Sequence, residues 1–400
     1  MTTAVDTRPA ERRLIVLLSL GAFGSAASMR VADAQLPALA TVFGVSLSVA
    51  AQVITVFSVA YGVLQLASGP IGDRLGKWRV IAATIMVAAI GSAACALAPN
   101  FSLLLAARVL TGAACAGVIP LCMAWIGDAV PYERRQPVLA RFLTGQILGM
   151  ALGQWLGGVA ADLDAWRAPF VVLMLWFAVT SVLLWRTRGA AEAFAPLQPR
   201  SGHPYREIAY VLGQPWARVI LAVVFVEGVV LFGPMAFLAT HLHLAYGVSL
   251  SAAGTIATFY AIGGLGFALG SKHLVPRLGE VGLPRGGGVL LLIGLLAVSL
   301  SPVWWTAPLA CAIAGLGFYM LHNTLQTNAT QMAPEARGAA VSLFASSFFI
   351  GQTVGVALVS LIVEEVGAGR VLATCAFLVL LLAWQFSRLR AARAVTVARG

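Results

Sequence analysis

Apolar runs of membrane-spanning length recur along the whole chain, parted by short turns that collect Gly, Pro and charge. A helix rises about 1.5 Å per residue, so roughly 20 apolar residues cross the hydrocarbon core of a bilayer. On that measure the pattern predicts twelve helices, near 14–37, 48–70, 80–98, 102–126, 137–160, 168–186, 217–240, 250–271, 286–301, 305–328, 338–362 and 369–387. The long charge-free stretches 80–107 and 286–334 each divide at a turn, Pro99-Asn100 and Pro302. Polar and apolar positions do not alternate as they would in barrel strands, so the fold class is an all-α membrane protein.

The second half repeats the first at one constant offset. Gly44-Val45-Ser46-Leu47-Ser48 returns as Gly247-Val248-Ser249-Leu250-Ser251, and Arg74-Leu75-Gly76 as Arg277-Leu278-Gly279. Pro99 pairs with Pro302, Gly112 with Gly315, Pro131 with Pro334 and Arg134 with Arg337, all without a gap. An even number of helices per unit leaves both copies in the same orientation, so the expectation is two parallel six-helix repeats related by an axis along the membrane normal. The halves are read as 1–186 and 214–400. The connector 187–213, with Pro196, Pro199, Pro204, Arg188, Arg200 and Arg206 and with Arg186 at its edge, reads as a cytoplasmic linker without a fold of its own. The first run has the look of a secretory leader: Arg12-Arg13, an apolar stretch from Leu14 to Gly24, then Ser25-Ala26-Ala27-Ser28. The repeat pairs that run with the seventh helix, so it is kept as a span.

Composition sharpens the class. Hydrophobic residues make up 60% of the chain and charged residues 10%, against about 25% charged in soluble domains. The net charge of +11 would suggest nucleic acid in a soluble protein. Here 22 of the 26 Lys and Arg fall in the two tails, the even-to-odd turns and the span ends beside them (Arg141, Arg186 and Arg218), leaving only Arg167 and Arg370 in the opposite turns. That is the positive-inside signal, with both termini cytoplasmic and no nucleic-acid partner implied. The five cysteines, Cys95, Cys115, Cys122, Cys311 and Cys375, lie in apolar runs and read as small hydrophobes.

Between the second and third helices stands Gly69-Pro70-Ile71-Gly72-Asp73-Arg74-Leu75-Gly76-Lys77-Trp78-Arg79. Its glycines permit close backbone approach, and Asp73 is a lone acid among bases. Asp128 and Arg134 end the fourth helix on the same face. This stretch resembles the signature loop of the major facilitator superfamily, G-x-x-x-D-R-x-G-R/K-x-R, and the likeness extends over the whole chain. The resemblance implies a cytoplasmic conformational latch made of Gly69, Asp73, Arg74, Gly76, Lys77, Arg79, Asp128 and Arg134, holding the outward-facing state. The second copy has Pro276 in place of Asp73 and Gln331 in place of Asp128, which implies a latch that differs between halves. Arg108-Val109-Leu110-Thr111-Gly112 is similar to the R-x-x-Q-G of the proton-coupled drug-antiporter branch, with Thr111 replacing Gln. Gly149, Gly153, Gly157 and Gly158 are similar to that branch's G-x-x-x-G-P-x-x-G-G, with Gln154 replacing Pro. Close packing alone would also explain those glycines.

A charge at mid-membrane costs roughly 2.5–3.5 kcal/mol on insertion scales, so such residues mark function by default. Arg30, Asp33, Arg108 and Glu227 lie inside predicted spans. Glu227, roughly 15 Å along its helix, lies near the midplane. It reads either as a carboxyl that takes and releases a proton or meets a cationic solute, or as an interhelical hydrogen bond. Arg30, Asp33 and Arg108 share an outer-half depth and suggest a network; Arg30 and Asp33 at i, i+3 equally suggest a plain pair. Gln146, Asn323 and Gln326 are candidate cavity residues or interhelical ties, and Tyr61, Trp155, Phe232 and Tyr260 are candidate cavity aromatics. His241 and His243 at i, i+2 do not share a helix face, so no metal site is expected. No cofactor is expected either: Walker, G-x-S-x-G and H-E-x-x-H patterns are all absent, which argues against ATP drive and against an enzyme.

The reading is a monomeric secondary transporter of the inner membrane moving a small organic solute by alternating access, with proton-coupled efflux as the resemblance implies. Uptake or facilitated diffusion of a metabolite is the alternative within transport, and a non-transporting receptor the alternative outside it.

Overall fold

The computed structural model describes residues 9–195 and 204–399; among these it is helical throughout, without a strand. The helices are α1 (Pro9–Phe43), α2 (Leu47–Leu75), α3 (Lys77–Leu97), α4 (Phe101–Ala129), α5 (Tyr132–Asp162) and α6 (Ala168–Arg186), then α7 (Pro215–Tyr246), α8 (250–278), α9 (280–300), α10 (Trp304–Gln331), α11 (Pro334–Val366) and α12 (Ala368–Arg399). Ten runs among the described residues are long and apolar enough to cross a bilayer, against the twelve expected, and the difference has two sources. Leu250–Leu300 passes as one run, but Gly279 sits at φ 60° and ψ −174°, outside the helical region. Gly263 on one arm lies against 312–316 of α10 and Gly294 on the other against 310–314, so the arms α8 and α9 run side by side. The helix α5 is not among the ten, yet it packs along the length of α1.

Turn chemistry explains where the helices stop. Gly44, Gly76, Gly247, Gly279 and Gly367 all take positive φ, a region that costs other residues 1–2 kcal/mol. Asn100 caps α4 by accepting the Leu103 N–H at 2.9 Å. Two helices are also interrupted inside the bundle. α1 loosens into a turn and a 3-10 segment between Arg30 and Leu36. α7 opens into a π segment, Gly228–Phe232, immediately after Glu227 and just before Pro234, whose missing N–H cannot close the regular ladder.

Glycine sets how closely the helices approach. A Cβ at Gly149, Gly153 or Gly157 would run into the backbone of Phe23, Ala27 or Val31, so three glycines at i, i+4, i+8 form the α5–α1 seam. Gly351 and Gly355 do the same for α11 against Phe225 and Val229 of α7. Gly158 faces the other way, onto the backbone of Leu250 and Ser251 in α8. The duplication is visible at the level of single contacts. Gly112 abuts the Phe57 backbone, and its repeat partner Gly315 abuts Tyr260, the repeat partner of Phe57.

The buried apolar residues form one core drawn mainly from 14–191 and a second drawn mainly from 211–386, with Phe349 packed against both. The connector differs from expectation. It carries two short helices, Arg188–Phe194 and Pro204–Gly213, the first supported by an Arg188–Glu192 pair at i, i+4. Pro196, Pro199 and Arg200 lie outside the described residues.

Because the atoms facing Gly153 are backbone, Gly153→Val cannot be relieved by a rotamer change. It is expected to lower the melting temperature in detergent, by the equivalent of about 1–3 kcal/mol. Gly69→Ala, at a glycine with open space around it, is expected to leave melting unchanged or slightly raised. Equal melting of the two variants would contradict the seam.

Candidate functional site

Glu227 ends the regular part of α7 and is fully buried. Its Oε2 lies 2.8 Å from Nδ1 of His322 on α10, while Oε1 is buried without a partner among the described residues. The imidazole stacks on Phe318 at 4.8 Å and stands 5.1 Å from Phe348 and 5.4 Å from Phe344. At this distance the carboxyl and the imidazole share one hydrogen bond, enclosed by the aromatic side chains of Phe318, Phe344 and Phe348. Composition and spacing did not single out His322. The available signal was that it is a histidine in the interior of a predicted span.

A second polar group stands across the junction of the two halves. Arg30 donates to Asp33 at 3.0 Å, both side chains buried, and its guanidinium sits 4.8 Å over the ring of Phe232 in α7. Phe232 in turn packs edge-on against Phe318 at 5.2 Å and Phe348 at 5.0 Å. Tyr260 lies within electrostatic reach of Tyr319, Glu227 and Arg30, and its hydroxyl is buried without a partner among the described residues. An aromatic layer thus separates a cationic group on the first half from a carboxyl–imidazole pair on the second.

Arg108 does something different from what its depth suggested. Its Nε donates to the Val53 carbonyl at 3.2 Å and a terminal nitrogen to the Ser28 carbonyl at 3.0 Å, with the guanidinium 4.2 Å over Phe57. It is fully buried and ties α4 to α1 and α2, feeling Asp33 through space without bonding it. Gln146 and Asn323 are half-buried, and Gln326 is exposed; none is brought onto Glu227. Trp155 is exposed on α5, while Tyr61 packs 4.5 Å from Phe349. His241 and His243 bond separate carbonyls, of Val298 and Val248.

The signature loop assembles its charges at one end of the bundle. Lys77 Nζ lies 3.0 Å from Asp73 and 2.7 Å from Asp128, and Arg79 Nε lies 2.6 Å from Glu192 of the connector helix. The Arg79 hydrogen bond, aided by Arg188, holds the Glu192 carboxyl below its ordinary value. That tie is therefore present at neutral pH and lost only as pH falls through the depressed value. Arg134 reaches the buried Glu11 at 3.3 Å, Arg74 is exposed, and Gly69 has open space around it. These partners all belong to the first half or the connector helix. In the second half a different set holds the matching turn: Glu280 with Arg390 at 2.6 Å and Asn328 at 3.2 Å.

Comparison with known proteins agrees with this architecture. The family model of the Major Facilitator Superfamily matches residues 18–356. The chain is 25% identical to the uncharacterized MFS-type transporter YwfA of Bacillus subtilis (strain 168), covering 92% of this chain and 90% of that one. It is 24% identical to the multidrug efflux pump LfrA of Mycolicibacterium smegmatis, covering 89% and 83%. Among solved structures, an inward-facing and occupied bacterial homolog of the human lysosomal transporter Spinster superposes with a TM-score of 0.72 at 18% identity, over 98% of both chains. The nucleoside transporter NupG superposes with a TM-score of 0.73 at 14% identity, over 93% and 98%.

Removing Arg108 strands two carbonyls in an apolar interior and leaves a cavity. Arg108→Ala is expected to destabilise the fold by on the order of 3 kcal/mol and to cut the folded yield. Arg79→Ala, at a fully exposed ion pair, should leave melting nearly unchanged. Parallel thermal melts in detergent check the contrast.

Proposed function

The chain belongs to the Major Facilitator Superfamily, a family of membrane transporters, and we propose on that premise that it exports a small organic solute in exchange for protons by alternating access. One observation carries the coupling. A fully buried carboxyl, Glu227, is hydrogen-bonded to His322 and keeps its other oxygen without a partner among the described residues, beside the junction of the two halves. A proton or a polar solute group can occupy that oxygen, and both cannot do so equally well at once. Such competition at one carboxyl is the simplest physical basis for exchange.

The cationic partner on the other half gives the competition a mechanical outlet. Arg30, bound to Asp33, contacts the second half through Phe232, five residues beyond Glu227 and within the π segment. Loading or unloading Glu227 changes the charge facing Arg30 and so the attraction between halves. The export direction rests on the likeness to LfrA. Gly149, Gly153 and Gly157, similar to an antiporter pattern, serve here as a packing seam, so they lend the direction no independent support. The end bearing Lys77, Arg79 and Arg134 faces the cytoplasm with both termini, and the chain acts as a monomer in the inner membrane.

The test is a panel of small organic cations and neutral aromatics screened for export in cells stripped of their own pumps, followed by reconstitution of the protein with the best solute. Glu227→Gln is expected to reduce proton-driven transport at least tenfold while leaving solute counterflow within about threefold of the wild type, a factor of ten being 1.4 kcal/mol. His322→Gln should lose part of the drive and shift its pH profile. Unchanged proton dependence in Glu227→Gln would remove the coupling role. Counterflow unaffected by any proton gradient in the wild type would make the chain a facilitated-diffusion carrier. Binding with no counterflow would make it a receptor.

A further inference from the structure

The strongest repeat in the sequence, Gly-Val-Ser-Leu-Ser, is only partly explained by its local fold. Gly44 and Gly247 end α1 and α7 with φ of 61° and 65°. Ser46 and Ser249 cap α2 and α8, accepting the N–H groups of Val49 and Ala252, each at 3.2 Å. Turn chemistry requires the glycine and the first serine. It does not require the last serine, Ser48 or Ser251.

Each copy instead holds a carboxylate from the opposite half. Glu364, at the end of α11, accepts the Ser48 N–H at 2.8 Å and the Ser48 hydroxyl at 2.9 Å, with the Leu47 N–H and the Ser46 hydroxyl beside it. Asp162, at the end of α5, accepts the Leu250 N–H at 2.7 Å and the Ser251 N–H at 2.8 Å, with the hydroxyls of Ser249 and Ser251 beside it. The two arrangements use the same groups on the receiving side, two N–H groups at a helix start and two serine hydroxyls, and each takes one acid from across the interface. The first N–H groups of a helix lack internal acceptors, and the helix dipole favours an anion there.

We propose that the repeated pentapeptide is a duplicated receptor for these two acids, and that the pair forms a double clamp that shuts the outer mouth and must open once in each transport cycle. This rests on the alternating-access reading above. The clamps sit at the end of the bundle opposite the signature loop. Close contacts join the halves along the same two seams: Gly158 and Gly254 bring α5 against α8, and Gly62 brings α2 against α11. At the opposite end the described signature-loop ion pairs stay within one half or reach the connector helix. Asp162 and Glu364 are both exposed, so water can replace each bond as the clamp parts, which suits a contact that must break repeatedly.

The experiment places two spin-label pairs in the full-length chain in lipid nanodiscs, with the five native cysteines replaced by alanine. Leu163 with Leu244 reports the outer end and Leu75 with Leu278 the inner end; all four side chains are exposed. Asp162→Ala with Glu364→Ala is expected to raise the long-distance outer population at least threefold and to shorten the inner distance, with each single variant between the double and the wild type. Glu365→Ala is the control. By the repeat register Glu365 is the counterpart of Asp162, yet Glu364 makes the bonds, so the control should match the wild type. A double variant indistinguishable from the wild type, or a Glu365→Ala shift equal to that of Glu364→Ala, overturns the clamp. Should the acid variants fail to purify as a single species, Ser48→Ala with Ser251→Ala keeps both acids; it should move the distances in the same direction by a smaller amount, and no movement overturns the proposal. If wild-type outer and inner distances fail to move oppositely with pH or solute, alternating access itself falls. If they do so but ignore the clamp variants, only the clamp falls.

Discussion

A backbone N–H or C=O left without a partner in hydrocarbon costs several kcal/mol, and that constraint orders this molecule. It forces every crossing to be a helix, and it makes any break in a helix expensive unless other groups cover it. The breaks inside the bundle are therefore informative. α1 is interrupted between Arg30 and Leu36, where Arg30 and Asp33 sit; α7 is interrupted at Gly228–Phe232, directly after Glu227. Irregular backbone and intramembrane charge thus occur together, and at the α1 break the Gln35 side chain covers a freed backbone group, donating to the Val31 carbonyl at 3.1 Å.

Much of this was legible in the sequence because the bilayer imposes a coarse grammar. Length, charge-free runs, Lys and Arg placement and Gly or Pro turns located the crossings, and the offset that pairs Gly112 with Gly315 has a counterpart in space, since Gly112 abuts Phe57 and Gly315 abuts Tyr260. What stayed hidden depends on helix rotation and on distance in space. Gly157 and Gly158 are neighbours in one pattern, yet one seals α5 to α1 and the other seals it to α8. His322 reads as a lone polar residue until α7 and α10 are placed side by side. Arg108 and Asp33 share a depth, but the guanidinium is spent on two carbonyls. Register alone would choose Glu365, where the helix turns Glu364 toward Ser48.

The duplicated scaffold carries unduplicated chemistry. The repeat partners of Arg30, Asp33 and Arg108 are Gly233, Ala236 and Cys311; those of Glu227 and His322 are Gly24 and Ile119. Contacts that hold the fold together recur in both halves, whereas the ionisable groups within the membrane do not. The first half supplies two guanidinium groups and the Asp33 carboxyl, the second the Glu227 carboxyl and the His322 imidazole. Across the junction the Arg30 guanidinium, already bonded to Asp33, meets the aromatic layer of Phe232, Phe318 and Phe348 and not a duplicated charge.

That division also explains why the contacts at the ends can be weak. The half-buried to exposed ion pairs around Lys77 and Arg79, and the exposed acids at the opposite end, are each worth little beside the desolvated groups between them. A strong bond at either mouth would trap one state. In the proposed exchange cycle, weak and exposed ties at the two ends would leave the balance between states to the buried pair, where a single proton would change the local charge by a full unit. The end contacts would need only to be close to balanced for one carboxyl in the middle to decide which mouth opens.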